Sequence, residues 1–311
     1  MASLALYQSC VSAISRNFEI LRKNGSDQDP PLTFDMWFDI CRHLSDSNNV
    51  NALFEELTNV DILYQFLKLG HKRKALHLIY EKVNKVHANL NSVVVKSFAV
   101  KAGQDKCWAL SAGQHLASFL IDAGWFLEAA EVLEIVLSGI DSAPCSTMRW
   151  NVMAKLLQAR SEFRQFDKAD DILKSLGLDL DTNFNQLSKD VSYLYCEVAN
   201  YYFWRSMYND SYLWSLKSVK SVCATTPKRV VIDILRQAGK SCVVTRRYPL
   251  AQLLLREALL KAHEIYGQHH LKYADCLQDY AFYLLNVDKV GLSVQAYEQA
   301  LNVRFSNFLK F

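Results

Sequence analysis

Residues 238–258, Ala-Gly-Lys-Ser-Cys-Val-Val-Thr-Arg-Arg-Tyr-Pro-Leu-Ala-Gln-Leu-Leu-Leu-Arg-Glu-Ala, decide how this chain folds. Ala238, Gly239 and Cys242 give a first helix a side of small residues that another helix can approach closely. Arg247-Tyr248-Pro249 then breaks the pattern as a turn. Ala251, Leu255 and Ala258 follow at i, i+4 and i+7, which is one face of a second helix. The stretch therefore predicts a helical hairpin with a small residue where its two helices touch.

The same small position recurs on both sides of this hairpin. Ala129, Ala169, Ser211, Ala251 and Ser293 are separated by 40, 42, 40 and 42 residues. Leu133, Leu173, Ser215, Leu255 and Tyr297 lie four residues on, and Val136, Leu176, Ser218, Ala258 and Ala300 lie seven on. Twelve residues upstream the preceding helix has its own close-contact position, at Ala117, Ala199, Gly239 and Ala281. Turns fall between, at Gly124-Trp125-Phe126, Gln165-Phe166, Met207-Tyr208, Arg247-Tyr248-Pro249 and Val287-Asp288. A bundle of antiparallel helices has no reason to keep such an interval, whereas a stacked repeat array does. The expected role is binding, not catalysis.

Hairpin, small contact and turn together match the tetratricopeptide (TPR) pattern, and the expected fold is an all-α TPR superhelix. A period near 41 exceeds the usual ~34, which implies lengthened helices as in the kinesin light chain type. A weaker unit precedes, with Leu67, Gly70, Ala75 and Ile79 in matching roles. The expected division is a helical region at 1–49 and a repeat array at 50–311.

Composition agrees with a helical protein outside the membrane. Half of the 311 residues are hydrophobic and 22% charged, enough for a long core between stacked hairpins. The net charge is +3 and no stretch of Lys and Arg interleaves with aromatics, so nucleic acid is not an expected partner. His71-Lys72-Arg73-Lys74 is expected to be a solvated turn. Eight cysteines include no C-x-x-C pair and no His at ligand spacing, so reduced thiols are expected, and no metal or cofactor. No segment approaches the ~18 apolar residues of a membrane span, and Met1 to Leu21 lacks the pattern of a signal peptide. The sequence carries no phosphate loop, zinc-protease or nucleophile-elbow motif. His269-His270, Asp170-Asp171 and Asp179-Leu180-Asp181 fit surface turns and solvated helix ends. No enzyme activity is expected.

The N-terminal segment carries a second signal. Leu6, Cys10 and Ile14 stand at i, i+4 and i+8, a single helical stripe with a small residue at its centre. The stripe resembles a BC box, through which substrate receptors dock on Elongin C. Leu6 suits an apolar pocket and Cys10 allows a partner helix to come close. About twenty residues further on, Pro30-Pro31-Leu32 with Phe34 and Phe38 approximates a cullin-2 box, giving Pro31, Phe34 and Phe38 as its candidates.

The stretches 119–126, 230–244 and 272–288 strongly resemble the amyloid protein-binding protein 2 family, and the resemblance runs from about Leu6 to about Arg304. It implies a TPR substrate receptor of an Elongin B/C and cullin-2 RING ubiquitin ligase that reads C-terminal degron peptides. It also implies the alternative of a cargo adaptor linked to microtubules and kinesin that binds the cytoplasmic tail of the amyloid precursor protein. The expected location is the cytoplasm, with cytoskeletal and nuclear populations. After Arg304 the sequence ends on Phe305, Phe308, Leu309 and Phe311 where the family continues through further repeats, which implies a shortened member.

In stacked TPR hairpins the first helices line the groove. Counting from Gly239 brings Asp233, Arg236, Lys240 and Val244 inward, and from Ala281 it brings Asp275, Gln278, Phe282 and Asn286, with Asp279 beside them. From Ala199 the same count yields Tyr193, Cys196, Asn200 and Trp204. Asp233, Asp275 and Asp279 thus form a candidate acidic patch for a peptide Arg or Lys, and Asn286 a candidate bond to an extended backbone. The alternative is that these are solvated residues, with Asp275 a helix cap.

Overall fold

The structure, a computed structural model, describes residues 2–16, 33–140, 147–177 and 191–309. Among these residues it contains sixteen α-helices, one short 3-10 helix and no strand. Two compact units divide the chain, Met1–Asp141 and Ser142–Phe311. No helix among the described residues is long and apolar enough to cross a membrane.

The second unit is four hairpins in series. They pair α9 (Thr147–Glu162) with α10 (Phe166–Leu176), α11 (Ser192–Trp204) with α12 (Tyr208–Lys220), α13 (Lys228–Val244) with α14 (Tyr248–Tyr266), and α15 (Leu271–Asn286) with α16 (Val290–Leu309). The first helices α9, α11, α13 and α15 pack side by side. The first unit ends with the same kind of hairpin, α7 (Lys106–Asp122) on α8 (Phe126–Gly139).

One turn motif makes every hairpin. In the third of the second unit, the Arg247 N–H donates to Cys242 O at 2.8 Å and the Arg246 N–H to Val243 O at 3.0 Å. That is a Schellman turn, which satisfies the carbonyls left bare at the end of the first helix and reverses the chain. Its left-handed residue recurs with the period of the hairpins, at Gly124, Arg164, Ser206, Arg246 and Asp288. Only Gly124 is free of the Cβ penalty there. Arg246→Gly is therefore expected to raise stability by about 0.5–1 kcal/mol, net of the extra freedom that glycine gives the unfolded chain. Urea denaturation of the two chains checks it, and an unchanged or lowered midpoint would show that the turn carries no strain.

The small residues sit where the interval places them. Ala129, Ala169, Ser211 and Ala251 are wholly buried, and Ser293 nearly so. Ser211 Oγ donates to Ala199 O and Ser293 Oγ to Ala281 O, both at 2.8 Å, so each serine meets the helix twelve residues upstream. Where the interval brings serines rather than alanine and leucine, they satisfy one another: Ser241 Oγ lies 2.8 Å from Ser211 Oγ and 3.1 Å from Ser215 Oγ. Gly239 is required by closeness, because a Cβ there would stand 2.5 Å from Leu255 Cγ.

The rest of the first unit is less regular. It comprises α1 (Ala2–Arg16), α2 (Phe34–Asp46), α3 (Val50–Thr58), α4 (Val60–Lys68), α5 (Arg73–Val86) and α6 (Leu90–Gln104). The weaker repeat has Leu67 and Ile79 buried, but its turn at Gly70–Lys72 is a 3-10 helix in place of a Schellman turn. The segment 71–74 is not merely solvated. Lys72 Nζ sits 3.0 Å from Asp35 and 2.9 Å from Asp39, and Arg73 Nη2 2.9 Å from Asp122, so its cations tie α2 and α7 to this turn.

Candidate protein-interaction site

Two surfaces stand out, one in each unit. On α1, Leu6 is 67% exposed, Cys10 is exposed and Ile14 half-buried. The adjoining side of the helix, about 100° round, is held down. Val11 is buried, Tyr7 Oη donates to Asp39 Oδ2 at 2.8 Å, and Ser15 Oγ lies 3.0 Å from His43 Nδ1. Burial, with the Asp39 carboxylate beside it, pushes the Tyr7 phenol up to about 12, so the hydroxyl keeps its proton and its bond. Lys72 shares Asp39, which joins α1, α2 and the 3-10 turn in one polar chain. The polar and packed side fixes the helix and leaves Leu6 and Cys10 of the predicted stripe outward, with Ile14 half-buried.

The cullin-box candidates divide. Pro31 lies outside the described residues. Phe34 is exposed at the start of α2, where Thr33 Oγ1 accepts from the Met36 N–H. Phe38 is 1% exposed and packs edge-on against Phe66 with ring centres 5.3 Å apart. It belongs to the core and offers no docking surface.

On the second unit the first helices bring Asp233, Asp275 and Asp279 together, as their count from Gly239 and Ala281 implies. The chain's own cations occupy them. Arg236 Nε is 2.6 Å from Asp279 Oδ2, and its Nη1 is 3.5 Å from Asp233 and 3.7 Å from Asp275. Lys272 Nζ is 2.8 Å from Asp233, and Arg304 Nη2 is 2.7 Å from Asp275 and 3.1 Å from Gln278 Oε1. Burial pulls the Arg236 guanidinium down, and the three carboxylates more than offset it, so its pKa lies above the usual arginine value. Three acids matched by three bases are no open seat for a peptide cation, and Asp275 pairs with a side chain rather than capping a helix. Asn286 is exposed, with its amide donating to Phe282 O of its own helix at 2.8 Å.

What the face leaves accessible lies between these pairs. Asn200, Trp204, Lys240, Val244 and Phe282 are partly exposed on α11, α13 and α15. Lys240 Nζ stands 5.3 Å over the Phe203 ring. Beneath Asn200 lies Glu197, 5% exposed, which the residue count passed over. Asn200 Nδ2 reaches Glu197 Oε2 at 3.4 Å and Glu162 Oε1 at 3.5 Å, and Trp204 Nε1 reaches Glu162 Oε1 at 3.4 Å. Burial, then the nearby charges of Glu162 and Asp233, pushes the Glu197 carboxyl up to about 8. The sequence signal was one acid inside the apolar run 194–199. Among the described residues no three of His, Cys, Asp and Glu converge as metal ligands.

Helical hairpins in series, joined by Schellman turns and lined by a polar-aromatic face of first helices, define a TPR-like helical-repeat protein. No protein-family model matches the chain. Over 319 residues it is 30% identical to mouse (Mus musculus) amyloid protein-binding protein 2 and 29% identical to the rat (Rattus norvegicus) protein, covering 97% of this chain and 53% of each relative. The chain is similar in sequence to the amyloid protein-binding protein 2 proteins and spans about half the length of the curated relatives it matches. Among solved structures it is similar to the TPR-like repeats of a kinesin light chain homologue from Podosopora anserina, with 14% identity, a TM-score of 0.42, and 65% of this chain and 97% of that chain covered. It is also similar to a signal transduction ATPase with a tetratricopeptide repeat sensor from Pyrococcus horikoshii, with 14% identity, a TM-score of 0.49, and 93% of this chain and 42% of that chain covered.

Proposed function

We propose that this chain is a protein-binding adaptor that acts as the substrate-receptor subunit of an Elongin B/C and cullin-2 RING ubiquitin ligase. One observation carries the reading: Leu6 and Cys10 are exposed and Ile14 is half-buried along a helix whose adjoining side is pinned by Val11, Tyr7 and Ser15. An apolar stripe held rigidly in water suits insertion into a partner's groove, because little further ordering is needed on binding. In this reading Elongin C takes the stripe, and degron peptides lie along Asn200, Trp204, Lys240, Phe282 and Asn286, whose aromatic and amide groups suit an extended chain. The aspartates 233, 275 and 279 then hold the face in shape, without touching the peptide. The chain performs no chemistry itself, ubiquitin transfer belongs to its partners, and it works in the cytoplasm with cytoskeletal and nuclear populations.

A second reading draws on what the relatives are named for. An adaptor that carries an amyloid precursor tail along microtubules would use the same face and leave the α1 stripe idle. Co-purification with Elongin B and C separates the two. The unaltered chain is expected to form a stable complex, and the Leu6→Asp, Cys10→Asp double variant to lose it while melting as before. Failure of the unaltered chain to bind would overturn the ligase reading and leave the transport adaptor.

A further inference from the structure

The cations of the second unit fall into two kinds. Arg205, Arg236, Lys272 and Arg304 each hold a carboxylate at 3.0 Å or closer. Among the described residues, Arg164, Lys240 and Arg247 have no carboxylate partner, and each lies over an aromatic ring instead. The Arg164 guanidinium carbon is 4.5 Å from the centre of the Trp204 ring, Lys240 Nζ 5.3 Å from that of Phe203, and the Arg247 guanidinium carbon 4.2 Å from that of Tyr212.

Contacts join the three into one strip. Arg164 and Arg247 stand in the turns that close the first and third hairpins of the unit, and Lys240 lies on α13. The rings of Phe203 and Trp204 are 6.5 Å apart, which links Arg164 to Lys240. Phe203 meets Tyr208 at 5.6 Å, and Tyr208, Val244 and Arg247 line an open cleft of about 420 Å³. The acids nearby do not match these cations. Glu162 accepts from the neutral Asn200 and Trp204. Glu197 feels the charge of Lys240, but burial pushes its carboxyl up to about 8, so at neutral pH it largely keeps its proton.

A cation lying on a ring is partly stripped of water and keeps its charge. A carboxylate that reaches it makes a charge-assisted bond. The cations also cover ring faces on which a nucleic-acid base would otherwise stack, which favours a peptide as the anion. In an extended peptide, side chains two residues apart point the same way at about 7 Å spacing, so alternate residues can follow such a strip. Given that peptides lie along this face, as proposed above, we propose that the strip takes an extended peptide rich in acidic side chains, whose carboxylates pair with Arg164, Lys240 and Arg247.

Fluorescence anisotropy of the full chain with three short labelled peptides tests it, one alternating Glu and Ser, one Gln and Ser, one Lys and Ser. The Glu peptide is expected to bind at least about tenfold more tightly than the Gln peptide, and to weaken as salt is added. Lys240→Gln, at a partly exposed position, should fold normally by circular dichroism and weaken the Glu peptide by up to about fivefold, with no effect on the Gln peptide. Lys261→Gln removes the same charge from α14, roughly 21 Å along from Arg247, where Lys261 pairs with Glu257, and should bind like the unaltered chain. Equal affinity for the Glu and Gln peptides, or an equal loss in Lys240→Gln and Lys261→Gln, would overturn the proposal and leave the peptide face standing. Tighter binding of the Lys peptide, or of a short oligothymidylate, would overturn it and give the strip to a cation or to nucleic acid. Failure of every peptide would overturn it together with the peptide face, and leave the Elongin test of α1 to be judged separately.

Discussion

Replacing Arg236 by methionine is expected to lower the stability of the chain by about 3 kcal/mol or more, the usual cost of stranding a buried charge. Three acids face this guanidinium, but they do not depend on it equally. Asp233 keeps Lys272 and Asp275 keeps Arg304 when Arg236 is gone. Asp279 is 7% exposed and, among the described residues, has no hydrogen-bond or ion-pair partner besides Arg236 Nε. The loss therefore concentrates on one carboxylate. A double variant, Arg236→Met with Asp279→Leu, should recover most of it, because an apolar pair of similar bulk needs no partner. Urea denaturation of the four chains of this cycle measures the coupling. Additive losses would mean that Arg236 acts by packing alone, and that the acids on this face are less dependent on it than their geometry indicates.

The same cluster marks how far a sequence reading reaches. Helical spacing from Gly239 and Ala281 places three aspartates on one face, because the backbone of a helix sets direction rigidly. It does not say which long cation will fold back on them. Arg236 follows Asp233 by three residues and was visible in the count, whereas Arg304 comes from the second helix of the hairpin, where no spacing rule on the first helix reaches it. The hairpins were legible for a similar reason. Small residues at close contacts leave a periodic trace, and Ala129, Ala169, Ser211, Ala251 and Ser293 are all buried. The turns were legible only in position. Arg164, Ser206, Arg246 and Asp288 adopt the left-handed conformation without being glycine, so nothing in their chemistry announces it. Phe38 shows the opposite failure. Its side of α2 faces Phe66, a partner 28 residues away in sequence, and only tertiary packing distinguishes it from the exposed Phe34.

Glu197 gives the other large effect, and its sign follows from linkage. Its folded pKa of about 8 lies above the ordinary glutamate value of 4.5, so the folded chain binds this proton more tightly than the unfolded chain does. The stabilisation is complete below about 4.5 and is lost as the pH rises through about 8. At about 1.4 kcal/mol per unit, the whole window amounts to roughly 5 kcal/mol at most. Glu197→Gln keeps the shape and cannot ionise. Its stability should match that of the unaltered chain near pH 4, and exceed it by a growing margin up to about pH 8.5. Glu162→Gln should act in the same direction and less strongly, because it removes the second cause of the shift and leaves the first, burial, in place. The measurement is the urea midpoint of the three chains at closely spaced pH values. Parallel profiles would mean that Glu197 meets water as freely in the folded chain as in the unfolded one. A profile that flattens only in Glu197→Gln would place a proton, at neutral pH, directly beneath the Asn200 that lines the proposed peptide face.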